Sequence, residues 1–100
     1  MSQQTEGGIK WINERVNSIA DELGIELDGP PEWDDSDRLN FKLAVEVAGH
    51  RKILKVWCPN IDDSQGGNNQ PTQEVRQKLQ DQLREFLRSF VRSKRRIGFS

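Results

Sequence analysis

The segment Leu39–Ala48 alternates large apolar side chains with polar or small ones and constrains the fold more than any other part of the chain. Successive side chains of a β-strand point to opposite faces of a sheet, so this period of two predicts a strand with one buried face. The residues predicted to face the core are Leu39, Phe41, Leu43, Val45 and Val47.

The strand is followed by Gly49-His50, a dipeptide that fits a two-residue hairpin turn with glycine first. This turn predicts the partners in the second strand. Phe41 faces Cys58, Leu43 faces Val56, Val45 faces Leu54, Val47 faces the stem of Lys52, Lys42 faces Trp57, and Glu46 faces Ile53. Each core position of the first strand then meets an apolar group, whereas a slip of one residue would bring polar residues to the core.

Two segments have the three-and-four spacing of amphipathic helices. The first is predicted over Ile9–Leu23 and ends at Gly24, a residue that tolerates the positive φ of a helix end. Trp11 lies about a quarter turn off its apolar face. The second is predicted over Thr72–Arg95. Its apolar stripe consists of Val75, Leu79, Leu83, Phe86, Leu87, Phe90 and Val91.

These elements predict an α+β fold, a two-layer sandwich in which the N-terminal helix and the long C-terminal helix cover one face of an antiparallel hairpin. Whether Ile25–Leu27 adds a third, edge strand is left open. Residues 32–37 and Pro59–Gln70 are predicted to be loops. The domain is predicted to span residues 9–96, between a flexible N-terminal tail, 1–8, and a C-terminal tail, 97–100.

Composition limits the class of protein. Hydrophobic residues make up 33% of the 100 residues and charged residues 31%, which is compatible with one modest core. The single cysteine, Cys58, cannot form an internal disulfide, no segment is apolar enough to span a membrane, and residues 2–8 do not resemble a signal peptide. We therefore expect a cytoplasmic protein.

The outer face of the predicted hairpin carries candidate residues for binding a protein partner, namely Trp57, Ile53, Lys42 and Lys55. Basic side chains around an aromatic ring can also stack on nucleic-acid bases, but sheets that read RNA usually offer two or three aromatic residues. A further alternative is that Trp11 or the N-terminal tail covers Trp57. We expect association or cover rather than nucleic-acid stacking.

The C-terminal helix carries a second candidate surface, a basic ridge of Arg84, Arg88, Arg92, Lys94, Arg95 and Arg96. Clustered guanidinium groups bind phosphates and can give salt-dependent binding to nucleic acid. The alternative is a solvated helix end that offsets its own dipole. The net charge is only −1, but residues 1–37 hold ten acidic and two basic residues, 38–58 five basic and one acidic, and 71–100 eight basic and three acidic. This segregation indicates either an anionic partner or an intramolecular attraction in which the acidic region Asp21–Asp37 neutralises part of the ridge, and we favour the intramolecular interpretation.

Residue types that carry chemistry are present without the patterns that catalysis or metal binding requires. Glu32, Asp34, Asp35 and Asp37 lack the glycine and final glutamate of a calcium loop. His50 has no second ligand nearby and is predicted to lie in an exposed turn, and Cys58 is predicted to be a buried, inert thiol beside Phe41. We expect no enzyme activity, no metal and no cofactor.

Element order offers one comparison. If Ile25–Leu27 is a strand, the order helix, three strands, helix is similar to that of double-stranded-RNA-binding domains. Those domains carry a lysine cluster at the start of the last helix, whereas Thr72–Val75 has no basic residue. Element order is a weak guide to function, and we assign no family.

The sequence therefore predicts a small, non-enzymatic interaction domain that docks a protein partner, or a second copy of itself, through Trp57, Ile53 and an exposed sheet edge. The alternative is a nucleic-acid-binding accessory domain that uses the basic ridge.

Overall fold

The predicted α+β class is confirmed by the structure, a computed structural model that describes residues 3–37, 39–64 and 72–99, with side chains described for 5–37, 39–64 and 72–91. In chain order its elements are α1 (Gln3–Leu23), β1 (Glu32–Asp34), β2 (Asn40–Val47), β3 (His50–Trp57), α2 (Cys58–Ser64) and α3 (Thr72–Phe99). The three strands form one antiparallel sheet in the order β1-β2-β3.

Helices α1 and α3 cover one face of this sheet, because their apolar stripes and the odd-numbered residues of β2 share one core. The prediction that Phe41, Leu43 and Val45 are buried is confirmed. Ile12 and Val16 of α1 and Leu83 and Leu87 of α3 are among the residues that meet them. The other face of the sheet has no helix over it in the described part of the chain.

Helix α1 starts at Gln3, so the predicted start at Ile9 is wrong, and residues 3–8, expected to belong to a frayed tail, are helical. Tertiary contacts account for the longer helix. The Thr5 hydroxyl donates a hydrogen bond to the Asp62 carboxylate, and Gly8 lies against the backbone of Ile61. The segment is held by α2, an element that the sequence did not predict.

The end of α1 at Leu23 is as predicted, and the backbone shows why the chain stops there. Gly24 has a positive φ of 73° and donates to the carbonyl of Asp21, and the N–H of Ile25 donates to the carbonyl of Ala20 at 2.7 Å. These two bonds are the Schellman pattern of a helix C-terminus.

The third strand is Glu32–Asp34, and the open alternative that placed it at Ile25–Leu27 is wrong. Trp33 lies opposite Leu43, on the core side of the sheet. Its indole N–H donates to Asn13 of α1 at 2.8 Å, and its ring meets Phe41 edge to face at 6.3 Å. These contacts give a three-residue strand the apolar anchor that its acidic neighbours lack.

The predicted register of the hairpin is wrong by two residues. Phe41 lies opposite Val56, Leu43 opposite Leu54, and Lys42 opposite Lys55. The turn is Ala48-Gly49, with φ values of 51° and 80°, and two positive φ values are what a type I′ turn requires. Because every partner moves by two positions, the residues that face the core stay the same.

Residues Cys58–Ser64, predicted to be mostly loop, form the short helix α2. Ile61 is buried in the core, and the buried Ser64 hydroxyl donates to the Ile61 carbonyl at 2.7 Å. The remainder of the predicted loop, 65–70, lies outside the described residues. Helix α3 begins at Thr72 as predicted but continues to Phe99, four residues beyond the expected end at Arg95.

Candidate partner-docking surface

We use the term outer face for the side of the sheet opposite the core. The alternation of the strands and their register assign its residues. They are Glu32 and Asp34 on β1, Asn40, Lys42, Ala44 and Glu46 on β2, and Arg51, Ile53, Lys55 and Trp57 on β3. The face therefore combines two large apolar side chains with equal numbers of acidic and basic groups.

Ile53 and Trp57 are the exposed apolar residues of this face, with 57% and 53% of their surface accessible. Trp11 does not cover Trp57. It packs against the core from α1, with the guanidinium groups of Arg15 and Arg76 5.8 and 5.6 Å from its ring. Trp57 and Ile53 are therefore exposed on the same face of the sheet, as predicted.

Strand β3 is an edge strand, and one hydrogen bond shows where its backbone groups point. The N–H of Cys58 donates to the carbonyl of Leu39. These two residues form the next pair of the ladder after Asn40 and Trp57. Hydrogen-bonded and non-hydrogen-bonded pairs alternate in an antiparallel ladder, so the even-numbered residues of β3 bond to β2. The N–H and C=O groups that point to the free edge belong to Arg51, Ile53 and Lys55, together with the N–H of Trp57, whose C=O accepts the first hydrogen bond of α2.

Within the described ranges no other strand or loop donates to or accepts from these four residues at the edge. An edge of eight residues with unpaired backbone groups can accept an additional strand. The same four residues present their side chains on the outer face, so backbone pairing and side-chain contact would occur at one place.

Two lysines lie directly opposite each other between Ile53 and Trp57. Lys42 of β2 and Lys55 of β3 form a cross-strand pair, and by the alternation above it is a non-hydrogen-bonded pair, in which side chains are closest. Asp34 lies opposite Lys42, but its carboxylate accepts the N–H of Ser36 at 3.0 Å. Neither lysine forms an ion pair with a carboxylate of the described residues.

The third base of the outer face, Arg51, is already paired. Its guanidinium meets the Glu32 carboxylate at 3.2 Å, reaching from β3 to β1 across β2. The intervening residue opposite Glu32 is Ala44, whose small side chain leaves room for this bridge. The two basic groups of the face without an ion pair among the described residues are therefore the lysine pair, and the Asp37 carboxyl, whose pKa is lowered in part by Lys55, attracts one of them.

The basic ridge of α3 is described only in part. Arg84 is half-buried and pairs with Glu22 of α1 at 3.2 Å, whereas Arg88 is exposed. The side chains of Arg92, Lys94, Arg95 and Arg96 lie outside the described residues. In the loop between β1 and β2, the N–H of Leu39 and the amide of Asn40 donate to Asp37 and lower the pKa of its carboxyl.

Cys58 is half-buried at the start of α2 and packs against the core, but its predicted pairing with Phe41 is wrong, because the register places Val56 there. Burial and the nearby Asp62 carboxylate raise the pKa of its thiol, which lowers its reactivity at neutral pH. His50 is exposed and starts β3. No group of three potential metal ligands occurs among the residues that the structure describes.

Sequence reasoning missed one exposed apolar residue near this surface. Leu39 was predicted to face the core, yet it precedes β2 and 65% of its surface is accessible. The Asp37 side chain accepts the N–H of Leu39 in a turn, whereas the Leu39 carbonyl accepts the N–H of Cys58 at the end of the ladder. Asp37, a residue type that bonds to the backbone two positions on, is the sequence signal for this turn.

No family model matches the chain, and no curated protein and no solved structure matches it significantly. In the part of the chain with described structure, no helix is both long and apolar enough to cross a membrane. Fold and surface together define a small α+β domain with one open sheet face.

Proposed function

We propose that the chain is a non-enzymatic cytoplasmic interaction domain that docks a protein partner by adding a strand of that partner to β3. The observation that supports this most is the coincidence of Ile53 and Trp57, both exposed, with a free backbone edge on the same strand. In strand addition, main-chain hydrogen bonds provide affinity and the alternate side chains provide specificity.

The outer face offers enough apolar surface to support such docking. Completely burying a large apolar side chain contributes about 1.5–3 kcal/mol, and roughly half of that is available at Ile53 and at Trp57, which are half-exposed. Tryptophan is also enriched among the residues that dominate binding energy at interfaces. Trp57 is therefore the expected anchor of the interface.

The test removes one backbone hydrogen-bond donor, the N–H of Ile53, from the free edge of β3. Proline lacks an N–H, and it is tolerated in an edge strand where that N–H points to solvent, as it does at Ile53. Ile53→Pro should therefore spare the ladder between β2 and β3. Ile53→Thr is the matched control, because it keeps the N–H and suits a strand but shortens the apolar side chain.

The probe is a set of extended peptides selected from a random phage-displayed library on the immobilised full chain. We expect them to carry alternating apolar residues, to shift the backbone NMR signals of Ile53, Lys55 and Trp57, and to lose at least tenfold in affinity for Ile53→Pro. The loss for Ile53→Thr should be smaller. Peptides that bind elsewhere, or that bind Ile53→Pro unchanged while its circular dichroism is native, would contradict the proposal.

The alternative, nucleic-acid contact through α3, has less support among the described side chains. Arg84 is engaged with Glu22, and of the described ridge side chains only Arg88 is exposed. Phosphate binding by several arginines needs a cluster of free guanidinium groups. This alternative stays a prediction.

A further inference from the structure

The geometry points to the chemistry of the docked strand: we propose that it carries one acidic side chain flanked, two residues away on each side, by apolar side chains. The inference rests on the proposed function, strand addition at β3, and names the partner that this site would select. It follows from the lysine pair, Lys42 and Lys55, and from its two apolar neighbours on β3.

The lysine pair is unfavourable in the domain as it stands. Like charges directly opposite each other on a sheet are destabilising, and this pair occupies the close, non-hydrogen-bonded arrangement. Among the described residues neither Asp34, whose Oδ1 accepts the N–H of Ser36, nor Asp37, whose pKa Lys55 helps to lower, forms an ion pair with these lysines. A carboxylate brought by a partner would relieve the repulsion and gain two cations at once.

Sheet geometry places that carboxylate. A strand added at the free edge of β3 has a residue opposite Lys55 whose side chain also lies on the outer face. Its neighbours two positions away lie opposite Ile53 and Trp57. The selected pattern is therefore apolar, any residue, acidic, any residue, apolar. The pattern reads the same in both directions, so it holds for parallel and for antiparallel addition.

Charge disfavours a second copy of the chain as the occupant of this edge. Strand β3 has three basic residues, Arg51, Lys52 and Lys55, and no acidic one. Pairing β3 with β3 of another copy would therefore bring basic residues toward basic residues. Lysine on an edge strand is also a common protection against such edge-to-edge association.

Nucleic acid is disfavoured on the same face for a different reason. Phosphates could meet the lysine pair, but Glu32, Asp34 and Glu46 share the face and repel a polyanion. In addition, an oligonucleotide has no backbone that continues the hydrogen-bond ladder at Ile53 and Lys55. An acidic peptide strand uses both the charge and the edge.

The experiment compares three synthetic peptides that differ in one side chain. Each has the outward pattern valine, variable residue, valine, separated by threonines, and the variable residue is glutamate, glutamine or lysine. Affinities for the full chain are measured by NMR titration. We expect glutamate to bind about three- to fivefold more tightly than glutamine, as a partly exposed ion pair allows, and lysine to bind most weakly. Added salt should reduce the difference.

Variants of the chain identify the source of the preference. Lys55→Gln should bring the glutamate and glutamine peptides to within about twofold of each other. Lys78→Gln, an exposed lysine on α3, is the matched control and should leave the preference intact. A preference that survives Lys55→Gln and Lys42→Gln would overturn the assignment to the lysine pair.

The remaining outcomes separate this inference from the proposed function. Equal binding of the glutamate and glutamine peptides at β3 overturns the acidic preference and leaves strand addition standing. Absence of binding by all three peptides contradicts both. Tighter binding of a single-stranded DNA oligonucleotide to the outer face, or a concentration-dependent dimer joined at β3, overturns the choice of occupant.

Discussion

At the scale of single residues, Gly8 shows how a small side chain permits a long-range contact. A methyl group at this position would lie 1.9 Å from the carbonyl oxygen of Ile61 and 2.7 Å from its Cγ2 atom. Glycine normally weakens a helix by about 1 kcal/mol relative to alanine. Its presence in α1 is explained by the close approach of α2, which brings Ile61 into the core.

We therefore predict that Gly8→Ala destabilises the protein although alanine favours helices. Overpacking typically costs about 1–3 kcal/mol, which outweighs or cancels the gain in helix propensity, so the free energy of unfolding should fall by up to about 2 kcal/mol. Urea denaturation followed by circular dichroism measures it. Gly29→Ala, where no atom lies within 4 Å of the added methyl, should change little. A clear stabilisation by Gly8→Ala would show that α1 and α2 do not pack closely.

At the scale of elements, the hairpin is defined by its turn. Ala48 adopts φ of 51°, a conformation that residues other than glycine, asparagine and aspartate rarely adopt. The turn is supported from outside: the N–H of Gly49 donates to the Asp28 carboxylate at 2.8 Å, and the N–H of Asp28 donates to the Glu46 carbonyl. The loop after α1 thus stabilises a turn whose sequence is not ideal.

Replacing the strained residue should stabilise the hairpin. Asparagine before glycine is the preferred type I′ dipeptide, so we expect Ala48→Asn to raise the free energy of unfolding by about 0.5–1 kcal/mol. Gly49→Ala, at φ of 80°, should lower it by about 1 kcal/mol or more. Thermal and urea unfolding of both variants provide the measurement. A loss of stability in Ala48→Asn would exclude a type I′ turn at these two residues.

At the scale of the whole molecule, the acidic first third and the later basic segments attract each other. The two ion pairs among described side chains both join these regions, Glu22 with Arg84 and Glu32 with Arg51. The intramolecular interpretation of the charge segregation is therefore supported for these four residues. Lys55 also attracts the Asp37 carboxylate, whose pKa it helps to lower, but neither Lys55 nor Lys42 forms an ion pair among the described residues, and these two lysines are the basis of the proposed partner chemistry.

Because the Glu22–Arg84 pair is partly exposed, its contribution to stability should be small. Side-chain exposures of 57% and 29% predict a coupling energy below about 1 kcal/mol. A double-mutant cycle with Glu22→Gln and Arg84→Gln measures that coupling, and repeating it in 1 M salt should reduce it further. A coupling above about 2 kcal/mol would mean that this pair, rather than the apolar stripes, joins α1 to α3.

Several parts of the fold were predictable because local periodicity carries them. The apolar spacing of α1 and α3 and the alternation of β2 identified those elements and the faces that they bury. The exposure of Ile53 and Trp57 followed from the same alternation. The partners across the hairpin did not, because a turn at Ala48-Gly49 and one at Gly49-His50 satisfy the same alternation.

What the sequence by itself determined is thus the periodic elements, their buried faces and the fold class, since each depends on neighbours a few residues away. Tertiary structure alone decided the short elements and the site: Trp33 made Glu32–Asp34 a strand by packing on Phe41, and Ile61 made Cys58–Ser64 a helix by entering the core. It also placed Lys42 beside Lys55. Segments this short have too few local hydrogen bonds to form alone, so contacts distant in sequence determine their structure.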